Sequence, residues 1–368
     1  MIEAIDFFKA DSRHAIELQN FIRKNSNRLD LVREPDFFDA LQVEGTKVDI
    51  MAAHKSGKIV ALGLRSEKPC YLSNAPGSQM MGYISSIKIA SGLRSTSVLF
   101  HGYRFFRKLH RNGSCRFYLM TIMDDNKKVL KTFQTSAGLS LLPVDLKSIP
   151  SILSLGRYFT YILKPSDNKI IREVPSGLTL CRATGRDLPD ILAFIRKQGR
   201  CRQFFPVYTE TDLSGRGLLK NLEPENIFLA RMNDRLVGTL AVWDQSAFRK
   251  WHINEPEKLF KAFRPPPESG SPDNPSLDSS RLLALVCIEN NRQDIFTALL
   301  HKIKNTVSGN SDPHLWLGLH ENDPLGVIAD SDSLCKMTSH LFLVYWPEDK
   351  IDVETIQRLT PYLELGSL

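Results

Sequence analysis

One order of elements is written twice along this chain, and that repetition limits the folds open to it more than any single motif does. Phe21-Ile22-Arg23-Lys24 recurs as Phe194-Ile195-Arg196-Lys197. The stretch from Asp49 to Val60 parallels that from Asn226 to Val237 without a gap, and each reads as strand, polar turn, strand, the pattern of a β-hairpin. Further on, the stretch from Ile87 to Arg94 is matched by that from Val286 to Arg292, one residue shorter, and Asp124-Asp125-Asn126 by His320-Glu321-Asn322. Each copy runs helix, hairpin, strand, turn, helix, strand, helix, strand. The length of 368 residues accommodates two domains of ordinary size, and 42% hydrophobic residues suffice for packed cores. The predicted architecture is α/β with a mixed sheet, in two tandem units.

The first copy is clearest between Gly82 and Leu139. Residues 83–89 read as a strand, with Ile84, Ile87 and Ile89 among small residues. Leu93-Arg94-Ser95-Thr96-Ser97-Val98 is a hydroxyl-rich turn, and Val98, Leu99, Tyr103, Phe106 and Leu109 then follow at helical spacing. Residues 117–123 form the next strand, and Asp124-Asp125-Asn126 opens another helix. A turn of small residues before a helix has a chemical use: its free N–H groups and the positive end of the helix dipole hold a pyrophosphate. An ordinary βαβ unit with a serine-rich turn accounts for the same pattern.

At these residues the chain resembles the GNAT superfamily of acyl-CoA-dependent N-acyltransferases. That family's phosphate turn follows its fourth strand and combines an arginine or glutamine with two small residues, usually glycines. Arg94-Ser95-Thr96-Ser97-Val98 matches in the arginine and the apolar exit residue, with serines in place of both glycines. Serine is small, but its Cβ resists positive φ and crowds a phosphate. Asn126 fits the asparagine that opens the family's next helix. The resemblance implies two tandem GNAT-like domains, residues 1–165 and 170–368, with acetyl-CoA or another acyl-CoA as co-substrate and no metal. It implies a cofactor site at Ile87, Ile89, Leu93, Arg94, Ser95, Thr96, Ser97, Val98 and Asn126. The pyrophosphate would lie over the N–H groups of residues 93–98 and the pantetheine arm between strands 83–89 and 117–123.

The implied reaction is direct transfer of an acyl group to an amine, on a small molecule or a peptide. The amine must lose a proton and the leaving thiolate must gain one. The family often places a tyrosine seven residues after the asparagine for the second task; here those positions hold Phe133 and Ala329, which donate no proton. Residues 83–89 carry no carboxylate, only Tyr83, Ser85 and Ser86, so no catalytic residue is named. Two classes of function stay open: an acyltransferase, and a non-catalytic module that kept the fold and binds a ligand, a protein or nucleic acid.

The second copy departs further from the family pattern. Its turn reads Glu289-Asn290-Asn291-Arg292-Gln293-Asp294, and two acids are hostile to a pyrophosphate. The first copy is therefore the expected acyl-CoA site. Charge is divided in the same sense: residues 1–169 carry a net +10 and the remainder −3, within a formal +7 overall. Arg104, Arg107, Lys108 and Arg111 share one helical face, suited to the phosphates of coenzyme A, to nucleic-acid backbone or simply to solvent. No nucleic-acid-binding motif accompanies them, which ranks nucleic acid below coenzyme A.

A boundary between the copies is expected near residues 164–169, before a strand at 178–182 and a capping box formed by Thr184 and Asp187. The proline-rich stretch 264–280 reads as a loop, either covering an acceptor site or a tolerated insertion. Phe204-Phe205-Pro206-Val207-Tyr208 reads as core or as an acceptor wall, and Trp243, Trp251 and Trp316 as structural. The six cysteines are scattered without a Cys-x-x-Cys pair and the histidines show no ligand spacing, so neither a metal site nor a disulfide framework is indicated. No apolar run nears the roughly 20 residues a membrane span needs. The acidic start lacks the features of a secretory signal, and a reducing cytoplasm is the expected setting.

Overall fold

The computed structural model describes residues 5–25, 29–72, 77–93, 95–134, 149–164, 175–253, 280–307 and 314–368. Arg94, residues 165–169 of the expected boundary and all but the last residue of the proline-rich stretch lie outside these. The first copy holds β1 (Asp6–Ala10), α1 (Ala15–Lys24), β2 (Leu29–Arg33), β3 (Lys47–Lys55), β4 (Lys58–Tyr71), β5 (Ser78–Ile89), α2 (Ser95–Arg111), β6 (Phe117–Met123), α3 (Lys127–Gln134) and β7 (Ser151–Leu163). The second holds β8 (Leu178–Arg182), α4 (Leu188–Gly199), β9 (Ile227–Met232), β10 (Arg235–Trp243), β11 (Arg249–Ile253), β12 (Arg281–Ile288), α5 (Gln293–Val307), β13 (Leu315–His320), α6 (Gly326–Asp332) and β14 (Ser333–Tyr345).

Both expected hairpins form, and for one reason. Ser56 and Gly57 join β3 to β4 at φ of 52° and 71°, and Asn233 and Asp234 join β9 to β10 at 49° and 64°. Two successive left-handed residues give a turn whose twist matches that of the flanking strands, and Gly, Asn and Asp tolerate it at least cost. Ahead of α4, Thr184 and Asp187 make the capping box, with the Thr184 N–H donating to Asp187 Oδ2 at 2.9 Å. The stripe Leu188, Ile191, Leu192 and Ile195 is buried.

The two copies share a single sheet of 12 strands, ordered β1-β3-β4-β5-β6-β14-β7-β13-β12-β10-β9-β8. The centre of that order is an exchange. β14, from the second copy, pairs antiparallel with β6 of the first, while β7, from the first, pairs antiparallel with β13 of the second. The exchanged strands pair with each other along their length, from Ser333↔Leu163 to Tyr345↔Ser151. Each copy therefore completes its sheet with the other's last strand. A second tie is the small sheet of β2 and β11, one strand from each copy, in register from Arg249↔Arg33 to Ile253↔Leu29.

Packing follows strand alternation. On β3, Ile50 and Ala52 face Leu18, Phe21 and Ile22 of α1, whereas Met51 faces the cluster of Tyr103 and Phe106 on α2, and Ala53 meets Val98. The largest core is continuous across the copies, with Tyr83 and Leu119 of the first and Phe228, Leu240 and Trp316 of the second in one cluster.

Candidate functional site

In the first copy β5 and β6 run parallel and then part. They pair only at Gly82↔Tyr118, Tyr83↔Leu119 and Ile84↔Met120. Beyond Ile84, β5 bends at Ser86, whose φ is 52°, where its register against β4 skips between Leu62 and Leu64. A bulge of this kind turns a strand out of its ladder and opens a fork. Ile87, just past the bulge, is 40% exposed, an apolar side chain left bare on the prong of the fork. Ile89 and Leu93 are half-buried against Ala53 and Ala61.

Helix α2 starts at Ser95, three residues before the apolar spacing places it, because the hydroxyl residues are already its first turn. The N–H groups of that turn have no partner within the helix. The side chains of Ser95, Thr96 and Ser97 lie outside the described residues. Val98 is buried among Ala53 and Ala61, so what it offers a ligand is its backbone. Asn126 stands at the entry to α3, its Oδ1 accepting the Val129 N–H at 3.4 Å and its carbonyl the Leu130 N–H at 3.0 Å.

The sheet face opposite α2 is polar at this fork. Tyr83 and Thr121 face each other with their hydroxyls 2.5 Å apart, and burial pushes the Tyr83 phenol up to about 12. Ser85 Oγ donates to Glu44 Oε2 at 3.4 Å. Glu44 is fully buried and receives Arg33 Nε at 2.8 Å. Arg33 also reaches Ser86 Oγ at 3.3 Å, and Arg249 of the second copy approaches Glu44 at 3.8 Å. Glu44 is thus the carboxylate that meets Ser85 at the bulge, and sequence reasoning missed it. It follows a short 3-10 turn, Asp39–Val43, and nothing in its neighbours marks it out.

The second copy repeats the fork and fills it. β12 pairs with β13 only at Arg281↔Leu315 and Leu282↔Trp316. Its bulge falls on Leu285, φ 51°, the residue matched to Ser86 in the repeat. Here the Leu285 N–H donates to Glu364 Oε2 at 3.0 Å, and Tyr158 Oη donates to the Leu363 carbonyl at 3.0 Å. Leu365 is buried beside Gly318 of β13, where a side chain would collide with Tyr158 and Leu365. Residues 363–365 thus lie between the two prongs, which no local pattern in the sequence foretold. The acids of the turn are also less hostile than their sequence suggests. Arg235 grips Glu289 with two bonds of 2.6 and 2.8 Å, and Arg292 pairs with Asp294 at 2.5 Å.

The other candidates sort between surface and core. On α2, Arg104, Lys108 and Arg111 are exposed, while Arg107 pairs with Glu348. His110 faces inward: it stacks on Trp346 with ring centroids 4.4 Å apart, and its nitrogens lie 3.0 Å from Tyr118 Oη and 3.2 Å from Asp349. Burial lowers its pKa. Phe204, Phe205 and Tyr208 are core. Trp243 and Trp316 are fully buried, and Trp251 stacks on Trp316. His320 is held by the Leu155 carbonyl at 2.8 Å. Among the described residues no cluster of His, Cys, Asp and Glu suits a metal ion, and no helix is long and apolar enough to cross a membrane.

No family model matches the sequence, and no curated protein matches it. Solved structures do match the fold. A glucosamine N-acetyltransferase region of a fungal multi-domain GH3 β-N-acetylglucosaminidase superposes with a TM-score of 0.60 at 12% identity; the match covers 93% of this chain and 38% of that one. The chain thus spans well under half of that protein. A tandem GNAT protein from the clavulanic acid biosynthesis pathway matches at 0.53 and 11% identity over 93% of this chain and 98% of its own. A GCN5-related N-acetyltransferase from Sphaerobacter thermophilus matches at 0.53 and 10% identity over 99% and 98%. At such identities the likeness concerns the fold, and the fold is the tandem one that the sequence repeat predicts.

Proposed function

We propose that this chain, whose fold is that of the tandem GNAT N-acetyltransferases, is an acyl-CoA-dependent N-acyltransferase working through its first copy, residues 1–165. The observation that carries this reading is the contrast between the two forks. The first leaves Ile87 bare beside the bulge, with the first turn of α2 beyond it; the second is stoppered by Glu364 and Leu365. In this reading the pantetheine arm runs along Ile87 and Ile89, and the pyrophosphate takes the N–H groups between Leu93 and Val98, with Arg94, Ser95, Thr96 and Ser97 around it. Asn126 closes the far side of the site. A cytoplasmic setting suits six free thiols.

The acceptor amine approaches from the polar face. Its nitrogen attacks the thioester carbonyl, the carbon–sulfur bond breaks, and the products are an amide and a thiol. Ser85 and Glu44 form the proton route: the hydroxyl takes the amine proton as it passes its own to Glu44. The thiolate takes its proton from water, since Phe133 and Ala329 have none to give. Titration calorimetry with acetyl-CoA tests the assignment. Ser97→Glu should abolish binding through crowding and like charge, and Asp294→Ala should leave it unchanged. Absence of binding at millimolar acetyl-CoA, or binding insensitive to Ser97→Glu, would return the chain to the non-catalytic class.

A further inference from the structure

The face of the first fork toward the second copy is rich in buried cations. Strand alternation on β4 turns Ser66 and Lys68 to the same face as Cys70, which lies with Tyr83 in the shared core. Lys68 is only 4% exposed. Among the described residues Ser66 Oγ is buried without a partner. Arg249 is 3% exposed; its Nη1 and Nη2 are taken by the Gly366 and Leu368 main-chain oxygens at 2.9 and 2.6 Å, but its Nε is buried without a partner among the described residues. Trp251, two residues along β11 and so on the same face, carries a buried indole N–H without an acceptor among the described residues. A buried cation without a counter-ion is costly, and so is a buried donor left unmade.

The counter-charge nearby is already engaged. Glu44 is gripped by Arg33. Glu364 serves Leu285 and Tyr362 at 3.0 and 2.8 Å, and burial raises its carboxyl above the usual range, which weakens it as an anion. Burial lowers the Lys68 ammonium to about 8, opposed by the charges of Glu364 and Glu44. Three cations, Arg33, Lys68 and Arg249, thus share two acidic side chains, Glu44 and Glu364. Arg249 also lines a surface indentation together with Gln245, Ser246, Lys250 and Trp251.

We propose that the acceptor of this acyltransferase is an amine that also bears a carboxylate, with the anionic group held by Lys68 and Arg249 and the amine turned toward Ser85. Donors without acceptors and a cation excess suit a carboxylate, and they disfavour a diamine or polyamine, whose second charge would meet Lys68. The proposal rests on the assignment of acyl transfer to the first copy, and its test separates the two.

Thiol release from acetyl-CoA is measured with pairs that differ only in the carboxylate: glycine against glycinamide, and 4-aminobutyrate against 4-aminobutyramide, with putrescine alongside. The acids should exceed their amides at least tenfold in kcat/KM. Lys68→Met should raise KM for the acids at least tenfold while leaving the affinity for acetyl-CoA unchanged. Equal use of acids and amides, preference for putrescine, or an unchanged KM in Lys68→Met overturns the proposal and leaves the acyltransferase reading standing. If acetyl-CoA does not bind at all, that reading fails, and thermal melting decides the anion site alone. The acids, and not their amides, should then raise Tm in the wild type and not in Lys68→Met; no shift overturns the site.

Discussion

Glu364 joins the plugged second fork to the buried charge beside it, and its replacement has a calculable cost. The carboxylate accepts the Leu285 N–H at 3.0 Å and the Tyr362 hydroxyl at 2.8 Å, with Tyr208 Oη at a longer 3.4 Å. Glu364→Ala orphans the first two donors in a dry interior, at about 1–3 kcal/mol each, and leaves a void beside Leu365. The sum is about 3–5 kcal/mol, a large share of the stability of an ordinary domain. Glu364→Gln keeps the volume and one acceptor oxygen while removing a buried charge, so it should lie within about 1 kcal/mol of the wild type at neutral pH.

The pH dependence separates the two effects. Burial, opposed by the bonds from Leu285, Tyr362 and Tyr208 and by the Lys68 charge, holds the Glu364 carboxyl above its ordinary 4.5. A carboxyl that binds its proton more tightly when folded contributes stability that is full below 4.5 and is lost as pH rises through the raised value. Urea unfolding followed by tryptophan fluorescence, from pH 4 to pH 8, should show that loss in the wild type and a flatter profile in Glu364→Gln. A Glu364→Ala variant within 1 kcal/mol of the wild type would refute the account of the plug.

The remaining predictions concern the exchange, a second charge network and the proton route. Residues 1–164 expressed alone should aggregate or stay unfolded, because β6 and β7 lose β14 and β13, and co-expression with 175–368 should restore a soluble complex; a monomeric, cooperatively folded 1–164 contradicts this. Arg65→Met should destabilise by about 3–5 kcal/mol, since Arg65 answers the buried Asp49 and Glu67 and bonds Tyr118 Oη at 3.1 Å; a shift in the urea midpoint worth less than 1 kcal/mol contradicts it. Ser85→Ala should lower kcat about a hundredfold with the acetyl-CoA affinity unchanged, and equal turnover would show that Ser85 carries no proton.

Much of the fold is legible in the sequence because it rests on local chemistry. Hairpin turns at Ser56-Gly57 and Asn233-Asp234, the capping box of Thr184 and the apolar stripe of α2 are each written within a few residues. The start of α2 is misplaced by three residues because Ser95, Thr96 and Ser97 carry no apolar signal, although the helix runs through them. The strand exchange is invisible locally: β7 and β14 read as ordinary last strands, and only the pairing of β14 with β6 and of β7 with β13 reveals the crossing. The same holds for the polar face of the first fork. Glu44, Lys68, Arg249 and Glu364 come from four distant stretches, and only burial makes their charges matter. Where sequence reasoning took Glu289 and Asp294 as the obstacle in the second copy, both acids are ion-paired, and the space between its prongs is taken by Glu364 and Leu365.

A structure determined with acetyl-CoA bound tests the central claim most directly. The account predicts one molecule per chain, its pyrophosphate over the first turn of α2 at Ser95–Ser97, its pantetheine arm along Ile87, and the second fork still holding Glu364 against Leu285. Density for the cofactor between β12 and β13 with residues 363–365 displaced, or no density at either fork under saturating acetyl-CoA, would contradict it.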